Sequence, residues 1–258
     1  MNVGSTLPSA VPKQKPPIDR ARFFYSGAAA LLLALMFFGF QQFYLHGRAY
    51  PGRPLTPPIR SLLIVHGTAM TLWMLLLLVQ PLLIVNSKYR VHMALGKIGA
   101  VLAACIFVLG LRVGIEATRV TPPEVKIWGY TARQFMTVPI FSIVIFAGFV
   151  AAGILNRRQP EVHRPMMLLA TLAAMPAAVS RIDPLNALYS HTIWETIFGP
   201  FFMTLVVGAV LLAVKWGLTR SFDRYYAMGY AGLVVASAGI MKLAPTQVWD
   251  GVAGFLLR

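Results

Sequence analysis

The stretch of sequence that decides the fold runs from Ser61 to Ser87 and reads SLLIVHGTAMTLWMLLLLVQPLLIVNS. Its 27 residues include no Asp, Glu, Lys or Arg. A helix of about 20 apolar residues is long enough to cross the hydrocarbon core of a bilayer. A helix also pairs its own backbone N–H and C=O groups, which lipid cannot do. The stretch therefore predicts a transmembrane helix.

Further runs without charged residues are spread along the chain, separated by short basic or proline-rich segments. They are Phe23–Gly47, Ile98–Leu111, Gln134–Asn156, Pro165–Ser180, Thr196–Val214 and Tyr225–Met241. The run that ends at Leu111 is long enough only if Arg112 lies inside the helix, and the run from Pro165 only if its ends lie at the interfaces. We predict an all-α integral membrane bundle of about seven transmembrane helices, formed by residues 19–258 as one domain. Residues 1–18 are polar and Pro-rich, and are predicted to be a disordered cytoplasmic tail.

Composition argues against a soluble protein. Of the 258 residues, 57% are hydrophobic and 12% are charged, whereas a soluble domain carries about 25% charged residues. The net charge of +15 lies mostly in short segments between the apolar runs, which is typical of contact with anionic lipid headgroups. We therefore predict membrane lipids as partners, with other membrane-protein subunits as further candidates, and no nucleic acid. Walker, Gly-rich dinucleotide and His-Glu-x-x-His motifs are absent from the sequence, so ATP-driven and zinc-protease functions have no support.

The basic residues also predict an orientation. With a cytoplasmic N-terminus, the tail and connections on the inner side carry 12 Lys and Arg residues, and those on the outer side carry 9. The inner connections are also shorter, so their charge density is higher. We predict a multi-pass protein of the bacterial inner membrane with its C-terminus in the periplasm. Segment Gln247–Leu257 is predicted to lie along the interface, with Trp249 at headgroup depth.

Four histidines lie near the ends of predicted helices. His66 and His191 belong to the outer side, and His92 and His163 each begin a helix at the inner interface. Neutral imidazole binds iron, and paired axial histidines from two helices hold b-type haem in helical bundles. The inner pair would be His92 with His163, and the outer pair His66 with His191. These are the candidate cofactor-binding residues, with b-type haem as the candidate cofactor. The alternative is that each contacts headgroups or backbone.

Soft metal ligands are sparse in this sequence. Met70 and Met74 follow His66 at i+4 and i+8, and such a stripe suits Cu(I). Methionines in this pattern more often fill gaps in a core. The single cysteine, Cys105, cannot form an intramolecular disulfide, and it lies in an apolar run. We therefore assign no metal site outside the histidines.

A second set of ionisable residues is predicted to gather near the outer surface, together with the outer histidines. Its members are Arg112, Glu116, Arg181, Asp183 and Glu195. A charged group in hydrocarbon is costly, so it is by default paired or faces a cavity. Arg112 and Glu116 are four residues apart on one helix face, and they form either a structural pair or the lining of an outward-facing cavity. The alternative for the whole set is a ring of interface charges that never meet. No catalytic residue is assigned.

Three motifs and a glutamine carry a resemblance to other proteins. The motifs are HGxxxTxW from His66, VHxxLG from Val91 and EVHRxMxLxAT from Glu161, and Gln80 lies between the first two. With these motifs, the chain resembles a group of uncharacterised bacterial multi-pass membrane proteins over roughly residues 60–215. In that group an arginine is expected after the first inner histidine, whereas this chain has Met93. The four-histidine arrangement is similar to that of six-helix dihaem b-type cytochromes only by analogy.

The sequence leaves three classes of function open. Short connections and the lack of a catalytic motif favour an accessory or assembly subunit of a membrane complex, without catalysis of its own. The histidines favour a b-type haem electron-transfer protein. The outer ionisable residues favour a transporter of a small solute or ion. Whether the protein is an enzyme is not decided by these features.

Overall fold

The computed structural model describes residues 20–258, and it describes side chains from Phe23 onward. The predicted tail, residues 1–18, lies outside the described residues. Most of the described chain is helical, which confirms the predicted all-α bundle. The α-helices are α1 Arg20–Gly39, α2 Gln41–His46, α3 Arg60–Val85, α4 Tyr89–Val120, α5 Ala132–Phe135, α6 Thr137–Leu155, α7 Pro160–Ala174, α8 Pro176–Val179, α9 Asp183–Ala187, α10 Ile193–Phe198, α11 Phe202–Thr219, α12 Arg224–Leu243 and α13 Gln247–Leu256, with a 3-10 turn at Gly199–Phe201.

Two short β-hairpins interrupt the helical pattern of residues 20–258. Strand β1 Arg48–Ala49 pairs antiparallel with β2 Arg53–Pro54, and β3 Lys126–Ile127 pairs antiparallel with β4 Tyr130–Thr131. Both hairpins lie in connections at one end of the bundle, which we call the hairpin end. His92 and His163 lie near the starts of α4 and α7 at the opposite end, which we call the histidine end.

Within residues 20–258, six helical stretches are long and apolar enough to cross a membrane. They are Arg60–Val85, Tyr89–Val120, Ala132–Leu155, Pro160–Val179, Ile193–Thr219 and Arg224–Leu243. A shorter apolar helix, Phe23–Gly39, precedes them. The chain is therefore a polytopic membrane protein. Arg112 lies inside α4, as the short third run required. Helices α7 and α8 together form the fifth predicted segment.

The first predicted helix is shorter than its apolar run, and this corrects the boundary at Gly47. Helix α1 ends at Gly39, and α2 starts at Gln41 after the non-helical Phe40. A Cβ on Gly39 would overlap the backbone of Ala178. The end of α1 therefore packs directly on α8, and the chain turns at this contact. An apolar run shows which residues prefer lipid or core, but it does not show where a helix turns.

The C-terminal segment forms a helix, and the side chain of Trp249 is buried against the bundle. Its headgroup depth stays a prediction. Its side chain is 2% exposed, and its ring lies 5.8 Å from that of Phe141 between centroids. The indole Nε1 donates to the backbone oxygen of Arg133 at 2.9 Å. Arg133 also forms an ion pair with Asp250 at 2.8 Å. The indole is buried against α5 and α6 because its N–H group finds a partner there.

Helix α6 packs against both α4 and α7, while α3 packs against α1 and α4. Gly110 and Gly114 of α4 face isoleucines of α6 at distances that leave no room for a side chain. Small residues permit this close approach in a medium with no hydrophobic drive between helices. Trp73 of α3 reaches α7, where its Nε1 donates to Thr171 Oγ1 at 3.1 Å. This packing places α4 and α7 on either side of α6.

Gly39→Ala is expected to lower the free energy of unfolding by about 1–3 kcal/mol, because the added methyl group meets rigid backbone. Gly27→Ala in the same helix is the matched control, since nothing lies within 4 Å of its added Cβ. Thermal unfolding in detergent measures both variants. Equal midpoints for the two variants would contradict the packing of α1 on α8.

Candidate cofactor site at the histidine end

The structure brings the inner pair of histidines together. The ring centroids of His92 and His163 lie 6.5 Å apart, and the ring planes meet at 87°. Both residues are half-buried. Their helices, α4 and α7, each pack on α6 and have little direct contact with each other. The two imidazoles therefore approach each other from helices that are held apart.

The hydrogen bond of His163 determines which of its ring nitrogens is available. Nδ1 of His163 lies 2.8 Å from the backbone oxygen of Gly153 in the last turn of α6. A carbonyl oxygen can only accept, so Nδ1 is the donor and carries the proton. In the neutral ring, Nε2 then holds the free lone pair. A hydrogen bond from one ring nitrogen to a backbone oxygen also orients histidines that bind metals.

Helix α3 contacts the backbone at His92, and two buried side-chain atoms near this contact lack hydrogen-bond partners. Gln80 Nε2 donates to the backbone oxygen of His92 at 3.3 Å, just before Pro81 inside α3. Among residues 20–258, the buried atoms His92 Nδ1 and Gln80 Oε1 find no hydrogen-bond partner. Buried polar atoms without a partner are rare, and they often mark the place of a ligand, an ion or a water molecule.

The separation of the ring centroids is similar to that of two imidazoles bound to one metal ion. One nitrogen of each ring bound at about 2.0–2.1 Å would separate the ring centroids by about 6 Å when the two bonds are collinear. The observed distance is 6.5 Å. In the described part of the chain, no group of three His, Cys, Asp or Glu side chains could hold a metal ion.

The outer pair of histidines is arranged differently. His66 is half-buried in α3, and its Nδ1 has no hydrogen-bond partner within residues 20–258. His191 is exposed with a φ of 63°, and its backbone N–H donates to Glu195 at 2.5 Å. Among the described residues, the rings of His66 and His191 do not contact each other as those of His92 and His163 do. Met74 is fully buried in the hydrophobic core. Binding by the outer pair stays a prediction.

Glu116 takes a different partner from the one its spacing suggested. Its carboxylate accepts from Arg119 at 2.8 Å, in an i,i+3 ion pair. Arg112 is exposed on α4 instead. The long side chain of an arginine at this depth can extend toward the headgroups. The sequence could not choose between the two arginines because both lie within one turn of Glu116.

Arg181 and Asp183 belong to a contact with the first hairpin. The hydroxyl of Tyr50 donates to Asp183 Oδ1 at 2.5 Å, and this hydrogen bond raises the pKa of Tyr50. The Arg181 guanidinium lies 4.9 Å from the centroid of the Phe40 ring and donates to the backbone oxygen of Ala177. Burial lowers the pKa of Arg181 to about 10, so it stays protonated at neutral pH.

Glu195 lies near an aromatic contact of the second hairpin. Trp128 stacks on Tyr189 with 6.0 Å between ring centroids, and the Tyr189 hydroxyl donates to the oxygen of Gly199 at 3.1 Å. Burial, and then the charge of Glu195, raises the pKa of Tyr189. Within the described residues, Glu116, the Arg181 and Asp183 pair, and Glu195 thus belong to three different local contacts, and Arg112 is exposed.

A buried ion pair at the histidine end was not predicted from the sequence. Lys215 is 8% exposed, pairs with the carboxylate of Asp223 and donates to the Tyr25 hydroxyl at 2.6 Å. Asp223 also caps α12 by accepting the N–H of Tyr226 at 2.9 Å. The apolar run ended at Val214, so Lys215 was assigned to a loop. One feature of the sequence could have indicated this ion pair: the acidic Asp223 follows the basic Lys215 after eight positions, at the end of a predicted span.

This chain was also compared with known proteins. Neither models of protein families, nor curated proteins, nor solved structures match it. The chemistry of the site is therefore inferred from the two imidazoles, their hydrogen bonds and the nearby buried atoms.

Lys215→Met is expected to lower the free energy of unfolding by about 3–5 kcal/mol, because Asp223 is then buried without its countercharge. Asp223→Asn keeps an oxygen that can cap α12 and is expected to cost a similar amount. The double variant should recover much of the loss, since neither charge remains. Unfolding in detergent measures all three, and strictly additive losses would contradict the coupling.

The phenol of Tyr50 is expected to ionise at a higher pH than free tyrosine, because its hydrogen bond to a carboxylate favours the protonated form. The hydrogen bond from Tyr50 to Asp183 is fully present below the ordinary tyrosine pKa, and it is lost as the pH rises through the raised pKa of Tyr50. Asp183→Asn removes the negative charge and should lower the midpoint. The tyrosinate absorbance of wild type minus Tyr50→Phe follows this titration, and an unchanged midpoint in Asp183→Asn would refute the assignment.

Proposed function

We propose that this polytopic membrane protein binds b-type haem through His92 and His163 and serves in electron transfer. The observation that carries the proposal is the close approach of the two imidazoles, with 6.5 Å between ring centroids. In this pair His163 keeps Nε2 free because its Nδ1 donates to Gly153 at 2.8 Å. Two axial histidines from separate helices are a known way to hold haem in a bundle. When bound, the haem supplies reversible one-electron transfer.

The surrounding residues perform the positioning in this proposal. The Gly153 oxygen fixes the tautomer and the orientation of the His163 ring, and such a bond makes the other nitrogen a better ligand. Gln80 holds the backbone at His92 against α3. The partial burial of both rings limits the access of water to the site. Together these contacts hold the ligands in place before any group binds.

We also propose that the histidine end faces the cytoplasm of a bacterial inner membrane, with the C-terminus in the periplasm. The larger number of Lys and Arg residues in the short connections of this end supports that orientation. Electrons would then enter or leave the site at the cytoplasmic side.

The two other classes of function remain predictions. An accessory or assembly subunit is compatible with a bundle that has short connections, and binding of haem does not exclude such a role. A transporter requires a polar pathway, but the ionisable residues of the hairpin end lie in separate local contacts. The histidine pair is therefore the arrangement that distinguishes electron transfer from the alternatives.

An absorption spectrum of the detergent-purified protein, first oxidised and then reduced with dithionite, tests the proposal. We expect a Soret band and sharp α and β bands in protein from haem-replete cells. His92→Ala and His163→Ala should each remove them, because a single axial histidine holds haem weakly. His46→Ala is the matched control, since His46 is exposed at the hairpin end.

A colourless wild-type preparation would refute the proposal. Bands that persist at full intensity in both inner-histidine variants would also refute it. His66→Ala and His191→Ala test the outer pair in the same assay. Loss of about half of the haem in each would indicate a second haem at the hairpin end, and full retention would restrict binding to the inner pair.

A further inference from the structure

A lateral groove lies between α11 and α12 toward the histidine end. It has a volume of about 210 Å³. The groove is lined by Ala209, Leu212, Ala213, Trp216, Phe222 and Tyr230. Trp216 is 60% exposed and Phe222 is 65% exposed, so both aromatic rings lie on the outer surface of the bundle. The groove therefore opens sideways to lipid rather than inward to the core.

The lining of the groove suits a hydrocarbon chain. Ala209 and Ala213 are one turn apart on α11, and their small side chains leave a channel along the helix. The hydroxyl of Tyr230 donates to the backbone oxygen of Leu205 at 2.7 Å, so this residue presents its ring to the groove. An apolar chain can lie here without leaving a polar group unpaired.

Two arginines lie close in the sequence to Phe222, which lines the groove. Arg220 follows α11 and Arg224 begins α12, two residues on either side of Phe222, and both are exposed. Arg224 also donates to the Tyr225 hydroxyl at 2.9 Å and lies 4.7 Å from the centroid of that ring. The charge of Asp223, between the two arginines, is already paired with Lys215. The two guanidinium groups therefore give this part of the surface a positive charge.

We propose that this groove binds an anionic phospholipid. One acyl chain lies between α11 and α12, and Arg220 and Arg224 bind the anionic headgroup. Exposed aromatic rings at the level of the headgroups and basic residues next to them are features of lipid contacts. Zwitterionic lipids of the same length fill the groove equally well but gain less from the arginines. The site is independent of haem binding.

Native mass spectrometry of the delipidated full chain in detergent tests the proposal. Phosphatidylglycerol and phosphatidylcholine with identical acyl chains are the two probes. We expect wild type to prefer phosphatidylglycerol. Arg220→Gln with Arg224→Gln should weaken its binding by roughly tenfold, since each basic residue near the surface contributes to the attraction. Arg157→Gln with Arg158→Gln removes the same charge from another connection of this end, and it should leave the preference unchanged.

Two further variants separate the headgroup from the groove. Ala213→Phe fills the groove without changing the charge, and it should reduce the binding of both lipids. Arg220→Lys with Arg224→Lys keeps the charge and should keep the preference, which also reports whether changes at these positions preserve the fold. The proposal is overturned if the Gln pair keeps the preference, if the control pair loses it equally, or if Ala213→Phe binds both lipids as wild type does.

Discussion

A bilayer offers no water to backbone N–H and C=O groups, so each peptide group inside it must be paired within the protein. The long helices of this chain satisfy that requirement locally, and the short hairpins lie in connections at one end. The same constraint acts on polar side chains, which must find partners among groups that the helices leave accessible. The most accessible of these are backbone oxygens where a glycine leaves space or where a helix ends.

Several polar side chains donate to backbone oxygens, and in two of the three cases below the acceptor is a glycine oxygen. Tyr226 donates to the oxygen of Gly208 at 3.0 Å, Ser237 donates to that of Leu233 at 2.8 Å, and His163 uses that of Gly153. In the first two cases the hydrogen bond satisfies the hydroxyl group, which is the only donor of the side chain. In the third it leaves Nε2 free, and in this respect His163 differs from Tyr226 and Ser237.

The histidine end combines several kinds of polar group within a short depth. The imidazole pair joins α4 and α7 near the end of α6, and the Lys215–Asp223 ion pair joins the end of α11 to the start of α12. Tyr25 brings α1 into the same region through its contact with Lys215. These polar contacts connect the ends of several helices at the histidine end.

The sequence by itself determined that this chain is a membrane bundle and where most of its helices lie, because the preference of an apolar run for lipid is a local property. It also placed His92 and His163 at the same depth, since depth follows from position along a helix. Only the tertiary structure decided which side chains meet. Glu116 could have paired with either nearby arginine, and Tyr25 meets Lys215 across 190 positions of the chain. Such contacts depend on the rotation of each helix and on its neighbours, which arise from packing over the whole bundle and leave no periodic signal in one sequence.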